Sequence, residues 1–303
     1  MNQLTTLHPV TFPELTDKTG FDCKAEPVYM QRRNDAGDII GAMPIPGQKV
    51  IRRTDNGAPL GVTGKAYTIA HNRPLYEVIT GACRDTMTAD KIRGCTLKEY
   101  SSFGGSFTRF ELAFPGLTVP IYQRNSETEI QFKISVINGF AGNSAIRVLA
   151  GAFDLICTNG MYLGEMDKAS LRHTASYDPR RFAGFIEGKI RHYVDRCRTL
   201  QAWAGTEIEP GQFEQVLIDS KVFSERRQAA LLEQFKIEAA NRGPTIWAAY
   251  SAATFYSSHN SDRFTVRGSG SSDNVAATLT EREAEVSRLI DSPAWAQFAG
   301  VAA

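Results

Sequence analysis

Near Gly160 the hydrophobic period of the chain changes. Between about residues 92 and 158 apolar and polar residues alternate with a period close to two, in IRGCTLKEYSS, SFTRFELAF, LTVPIYQR, EIQFKISVIN and SAIRVLAGAFDLIC. Gly-Gly, Pro-Gly, Asn-Ser and the NGFAGN stretch separate these runs. Short alternating runs between turn signals predict an antiparallel meander. In one of them Phe107, Arg109 and Glu111 alternate against Thr108, Phe110 and Leu112, so one face of that strand can be charged. Beyond Gly160 the spacing becomes helical. Phe182, Ile186, Ile190, Val194, Cys197 and Leu200 form one stripe of FAGFIEGKIRHYVDRCRTLQAW, which predicts a single long helix. GQFEQVLIDS, SERRQAALLEQFKIEAAN and TIWAAYSAATFYSSH continue the pattern, broken at Gly243-Pro244. The fold class is therefore α+β, a twisted antiparallel β-meander followed by a helical half.

The flanks divide the chain further. Residues 1–45 show little periodicity and read as an extended N-terminal arm. The core, 46–260, begins with a hairpin around Asp55-Asn56-Gly57. A short helix follows, opened by Asn72-Arg73-Pro74, with Leu75, Val78, Ile79 and Cys83 on one face. Residues 261–278 are a Gly/Ser-rich linker that tethers a C-terminal helix. In that acidic tail, 279–303, Thr280 and Glu283 have capping-box spacing, and Ser292-Pro293 can start a last turn.

Several chemistries lack their residues. The five cysteines are scattered without a Cys-x-x-Cys pair, which argues against a disulfide framework and a zinc finger. Cys157 ends a buried-looking strand and reads as a small core residue, although His173 lies sixteen positions on. Asp154, Glu165 and Asp167 have no metal-ligand spacing, and Gly104-Gly105 is not followed by the Lys-Ser/Thr of a phosphate loop. No cofactor and no metal are expected. The first residues lack the basic start and apolar core of a signal peptide, and no run reaches the length of a membrane span. The expected setting is the cytoplasm, with no membrane contact.

One local signal stands out against a formal net charge of +1. From Lys168 to Arg198 there are eight Lys/Arg against three Asp/Glu, with His173 and His192 besides. Such a run can be a solvated helix face. Beside Tyr177, Phe182 and Tyr193 it also suits a nucleic-acid backbone with stacked bases. The acidic tail balances it, as a solvated helix, a self-masking element or a docking handle.

The run VIRRTDNGAPLGVTGKAYTIAHNRPLYEVI, then FKISVINGFAGNSAIRVLAGAFDLICTNGM, then SLRHTAS resembles the phage/plasmid-like proteins that carry domain of unknown function 932. Tyr67, Asn72, Asn138, Gly142, Ser144, Cys157, Asn159, Arg172 and His173 stand at that family's motif positions, over roughly residues 45–260. Ala141 replaces a common acid, and Leu155 a basic or branched residue. The setting implied is a mobile element's replication, recombination or defence.

A meander followed by a long basic helix is also similar to the core of single-strand annealing proteins, the Red-beta, RecT and Erf group. That resemblance implies an oligomer that holds single-stranded DNA and promotes annealing, without ATP and without cleaving bonds. The phosphate contacts expected are Arg172, His173, Arg180, Arg181, Lys189 and Arg191, with Arg109, Lys133 and Arg147 lining the same groove. A protonated His173 would add attraction below about pH 6.5. Asn159 is read as a turn residue. The C-terminal tail would meet a host replication or recombination protein. Two other readings stay open: a nuclease or nucleotide-processing enzyme of a mobile element, and a protein that binds a host factor.

Overall fold

The architecture joins two antiparallel sheets to a set of packed helices, and a computed structural model describes residues 11–123, 127–154, 160–161, 168–259 and 274–300. The first sheet has β1 (Cys23–Arg33), β2 (Ile39–Arg53) and β3 (Pro59–Gly64) in that order. Its β2–β3 turn is the one the sequence predicts. Gly57 adopts φ 71°, and Asn56 Oδ1 accepts from the Ala58 amide at 2.9 Å. β3 pairs with β2 only from Gln48 to Arg52. The rest of β2 and its β1 partners continue as a two-stranded ribbon, exposed along most of its length.

Over residues 11–45 this corrects the extended arm expected for residues 1–45; residues 1–10 lie outside the described residues. Phe12 and Leu15 are buried in the main core, and Phe21 sits in a smaller cluster with Cys23, Ile51, Leu60 and Phe140. The next residues form the ribbon. Gly and Pro within its strands (Pro27, Gly41, Pro44, Pro46, Gly47) blur the period-two signal.

α1 (Asn72–Thr86) and α2 (Ala89–Ile92) follow, with Leu75, Ile79 and Cys83 of α1 buried and Val78 half-buried. The second sheet has β4 (Thr96–Ser102), β5 (Phe107–Tyr122), β6 (Glu127–Gly139), β7 (Ile146–Asp154), β8 (Gly160–Met161) and β9 (Lys168–Leu171). β4, β5, β6 and β7 run in sequence order, and both β8 and β9 pair with β7. Two expected strands are fused in β5. A register shift between Phe114 and Thr118 absorbs Pro115-Gly116 as a bulge. Gly116 passes so near α2 that a Cβ would lie 2.3 Å from the Asp90 carbonyl oxygen.

Alternation gives this sheet two unlike faces. Phe110, Leu112, Phe114, Phe132, Ile134, Val136 and Val148 join the main core with α1 and the helical half. Burying each such side chain contributes about 1.5–3 kcal/mol. Tyr100, Arg109, Glu111, Lys133 and Ser135 occupy the opposite face.

The helical half contains α3 (Arg181–Arg191), α4 (Tyr193–Gly205), α5 (Pro210–Ser220), α6 (Glu225–Arg242), α7 (Ile246–Ser258), α8 (Val275–Ile290) and α9 (Pro293–Phe298). The single long helix expected from residue 182 is two. His192, at φ −97° and ψ 7°, ends α3 and starts α4. The break shifts the apolar stripe: Tyr193 is buried, and Val194, read as core, is 51% exposed.

The C-terminal tail is packed and not free. α8 begins at Val275, so Thr280 and Glu283 lie within it and make no capping box; Thr280 Oγ1 donates to the Ala276 carbonyl at 2.9 Å. Val286, Leu289 and Trp295 are buried, and Trp295 packs edge-on against Trp203 at 5.6 Å. α9 starts where expected, with Ser292 accepting from the Trp295 amide. Most of the Gly/Ser-rich segment lies outside the described residues. No described helix is long and apolar enough to cross a membrane.

Candidate functional site

The cationic stretch 168–198 runs from the edge strand β9 into α3 and α4. Phe182, Ile186 and Ile190 point α3 into the core, which turns Arg181 and Arg191 outward. Arg172 is exposed at the end of β9, and Arg180 is exposed at the N-cap of α3. Lys189 is half-buried, its ammonium 5.5 Å from the centre of the Phe185 ring. The three acids of the stretch pair with its own arginines: Asp178 with Arg180 at 2.9 Å, Glu187 with Arg191 at 3.6 Å, and Asp195 with Arg198 at 2.8 Å. Those arginine side chains keep 82%, 67% and 78% exposure, so the pairs are weakly held and an incoming anion can compete for them.

Two expectations for this stretch are corrected. His173 is buried, not a surface contact. Its ring stacks on Tyr67 with centroids 4.7 Å apart, and its Nδ1 donates to the Thr68 carbonyl at 3.2 Å. Burial lowers its pKa, with the Thr68 bond opposing, so the imidazole is neutral near pH 7. The aromatics read as base-stacking groups are also core: Phe182 and Tyr193 are buried, and Tyr193 Oη donates to the Ile130 carbonyl at 3.0 Å. Tyr177 is half-buried.

Arg109 and Lys133 are the next correction, since neither lines an open groove. They are 1% and 6% exposed, in a network on the charged sheet face. Arg109 donates to both Glu283 carboxylate oxygens, at 2.7 and 2.6 Å, and through Nε to Glu111 at 2.7 Å. Lys133 reaches Glu111 at 3.2 Å, and Ser135 Oγ donates to the same carboxylate. Burial pushes the Glu111 carboxyl up, but Lys133 and Arg109 outweigh it and hold it at about 2. Between this face and the ends of α7 and α8 lies a cavity of about 130 Å³, lined by Lys98, Tyr100, Arg109, Lys133 and both glutamates among others. Arg147 is half-buried on β7 and lines a smaller cavity beside it. The structure thus brings Arg109, Lys133 and Arg147 to one face, apart from the exposed set.

The motif residues converge elsewhere, in the seam between the two sheets. Tyr67 Oη donates to the Gly139 carbonyl at 2.9 Å. Asn138 Nδ2 donates to the Ala70 carbonyl at 2.7 Å and to Asn72 Oδ1 at 2.8 Å. Asn72 Nδ2 in turn donates to the Thr19 carbonyl and Thr108 Oγ1. Gly142, at φ +80°, lies against Thr63 and Tyr67. A Cβ on Gly139 would come 2.0 Å from Ser144 Oγ, so any larger residue there would force Ser144 to turn away. These groups fasten the first sheet, α1 and the second sheet together, and truncating one buried partner costs about 1–3 kcal/mol.

A family model described as a domain of unknown function (DUF932) matches residues 59–289, from β3 to the end of α8. This chain belongs to that family. No curated protein and no solved structure matches it. Of the motif residues of this DUF932 chain, Tyr67, Asn72, Asn138, Gly142, Ser144 and His173 build the seam, and Arg172 stands exposed beside it. Cys157 and Asn159 lie outside the described residues. The other four cysteines are buried, and burial pushes the thiols of Cys23, Cys95 and Cys197 up to about 12. Among the described residues no group of three or more His, Cys, Asp or Glu could hold a metal ion.

Sequence reasoning missed Lys98, Tyr100 and Glu283. Lys98 and Tyr100 were findable: they alternate with Leu97 and Glu99, and they pair with Glu111 and Arg109 in the ladder. Glu283 has no local signal, because its partner Arg109 is 174 positions away.

Proposed function

We propose that this chain binds single-stranded DNA along its exposed cationic stretch and, as an oligomer, promotes annealing of complementary strands. The setting proposed is recombination of a phage or plasmid in the cytoplasm of its bacterial host, without ATP and without bond cleavage. The observation that carries the reading is the placement of residues 168–198. A chain of net charge +1 presents Arg172, Arg180, Arg181, Arg191 and Arg198 on the surface of one continuous segment. The arginines that pair with acids here are themselves exposed and the pairs are weakly held, so phosphates can replace the acids.

The ribbon of β1 and β2 supports the oligomer. Tyr29, Met30, Ile39 and Ile40 are each at least half exposed on it. Two strands alone are marginally stable in water, and large exposed apolar side chains on both faces of the ribbon suit burial in a protein contact. Residues 27–48 hold Arg32 and Arg33 against Asp35 and Asp38, a net charge of zero, which suits a second copy of the chain better than a polyanion.

Fluorescence anisotropy with labelled single-stranded and duplex oligonucleotides of one length tests the reading. The single strand should bind more tightly, with steep salt dependence, and light scattering should show assemblies larger than a monomer. Ile39→Ser with Ile40→Ser should shrink the assembly and slow annealing while keeping strand binding. A flat salt profile, or a monomer with and without oligonucleotide, would overturn the proposal.

A further inference from the structure

We infer that the charged face of the second sheet is a second phosphate-binding surface, and that residues 275–284 of α8 cover it with Glu283 standing where a phosphate would bind Arg109. The inference deepens the single-strand reading and rests on it.

The two cavities beneath α8 are lined by five cations from adjacent strands: Lys98, Arg109, Lys133, Arg147 and Lys168. Among the described residues the sheet contributes one carboxylate to those cavities, Glu111. α8 adds the other, and Glu283 is the one residue that lines both cavities. A cationic platform with a carboxylate set into it from a separate helix is the arrangement of a masked anion site.

The geometry at Arg109 agrees. Its two terminal nitrogens each donate to one oxygen of Glu283, the two-pronged contact that a guanidinium also makes to phosphate. A backbone phosphate can take the same two bonds. Lys133 stands beside it through Glu111, and the exposed Lys98 opens the cavity to solvent.

α8 is also fastened unequally along its length. Val286 and Leu289, in its second half, belong to the main core, and α9 anchors Trp295 beyond them. Residues 275–284 meet the sheet side through Thr280, Glu283 and Ala284; Leu279 is their one buried large apolar side chain, and buried Arg282 donates to the His259 carbonyl at 2.7 Å. Its N-cap, Asn274, makes no side-chain cap bond, and the first turn holds no acid. Instead Ser102 Oγ of β4 accepts from the Ala277 amide at 3.2 Å. Lifting residues 275–284 breaks that cap, the Arg109–Glu283 pair and the Arg282 bond to the His259 carbonyl, while the core-anchored end from Val286 stays in place.

The test measures binding of one labelled single-stranded oligonucleotide across a salt series. It uses the full-length wild type, Glu283→Gln, Glu281→Gln, and a Ser102→Cys/Ala277→Cys pair under oxidising and reducing conditions. Glu281 is exposed on the same helix and serves as a charge-matched control. Glu283→Gln should bind about tenfold more tightly, the scale of one charge-assisted hydrogen bond. Its salt slope should steepen by about 2, from three further phosphate contacts at roughly 0.7 each. Glu281→Gln should stay within about twofold of wild type. The oxidised cysteine pair should bind more weakly than wild type, and reduction should restore it. The pair decides alone if Glu283→Gln does not fold. Wild-type affinity and slope in both the oxidised pair and Glu283→Gln would overturn the masked surface and leave the exposed stretch as the binding site. If no variant binds a single strand even at low salt, the single-strand reading fails with it.

Discussion

Arg109 and Arg181 carry the same guanidinium in opposite surroundings. Arg109 is 1% exposed, between Glu111 and Glu283 on a sheet face roofed by a helix. Arg181 starts α3 with its side chain in water. In the interior the charge is stranded if a partner is lost, because nothing solvates it. At the surface water and salt replace a partner at little cost. Counting basic residues along the chain therefore overstates the binding surface. While α8 is seated, burial separates cations that hold the structure from cations already open to a ligand.

That contrast is broken most directly by truncation. Arg109→Ala should destabilise the fold by about 3–5 kcal/mol, since it leaves Glu283 and Glu111 buried with their main partner gone. Arg181→Ala should stay within about 0.5 kcal/mol. Urea unfolding of both variants gives the two numbers, and similar midpoints would erase the distinction.

Acid should act on the buried set next. Glu111 titrates at about 2 in the folded chain, below its ordinary 4.5. A depressed carboxyl pKa gives stability that is present above the ordinary value and is lost as pH falls through the folded one. About 3 kcal/mol should therefore disappear between roughly pH 4.5 and 2. Unfolding midpoints at pH 5 and pH 3 read this loss, and a Glu111→Gln chain should lack that part of it.

A smaller effect of the same sign belongs to His173. Its pKa is lowered by burial, so its contribution is fully present above about pH 6.5 and declines as pH falls through the lowered value. His173→Gln should flatten stability between pH 7.5 and 5.5. Oligonucleotide binding that tightens over the same range, and loses that response in His173→Gln, would instead return His173 to the surface.

Much of this was legible in the chain. Alternation located the charged face through Phe107, Arg109 and Glu111, and helical spacing located α5, α6 and α7. The unread parts share a physical cause, dependence on distant partners. Whether Arg109 was open or closed depended on Glu283, far along the chain. The burial of His173 depended on Tyr67 and Thr68. The break at His192 is marked by no proline or glycine at that position, yet it exchanged Val194 for Tyr193 in the core.

The exposed cations give the smallest structural effect and the sharpest functional one. Arg172→Ala, Arg181→Ala and Arg191→Ala combined should leave the melting curve unchanged within about 1 kcal/mol, because all three side chains are exposed. The measurement is the salt dependence of single-strand binding in wild type and in that triple variant, side by side. The slope of log affinity against log salt should become shallower by about 2, with weaker binding at every oligonucleotide sequence. An unchanged slope and affinity in a folded triple variant would contradict single-strand binding along residues 168–198.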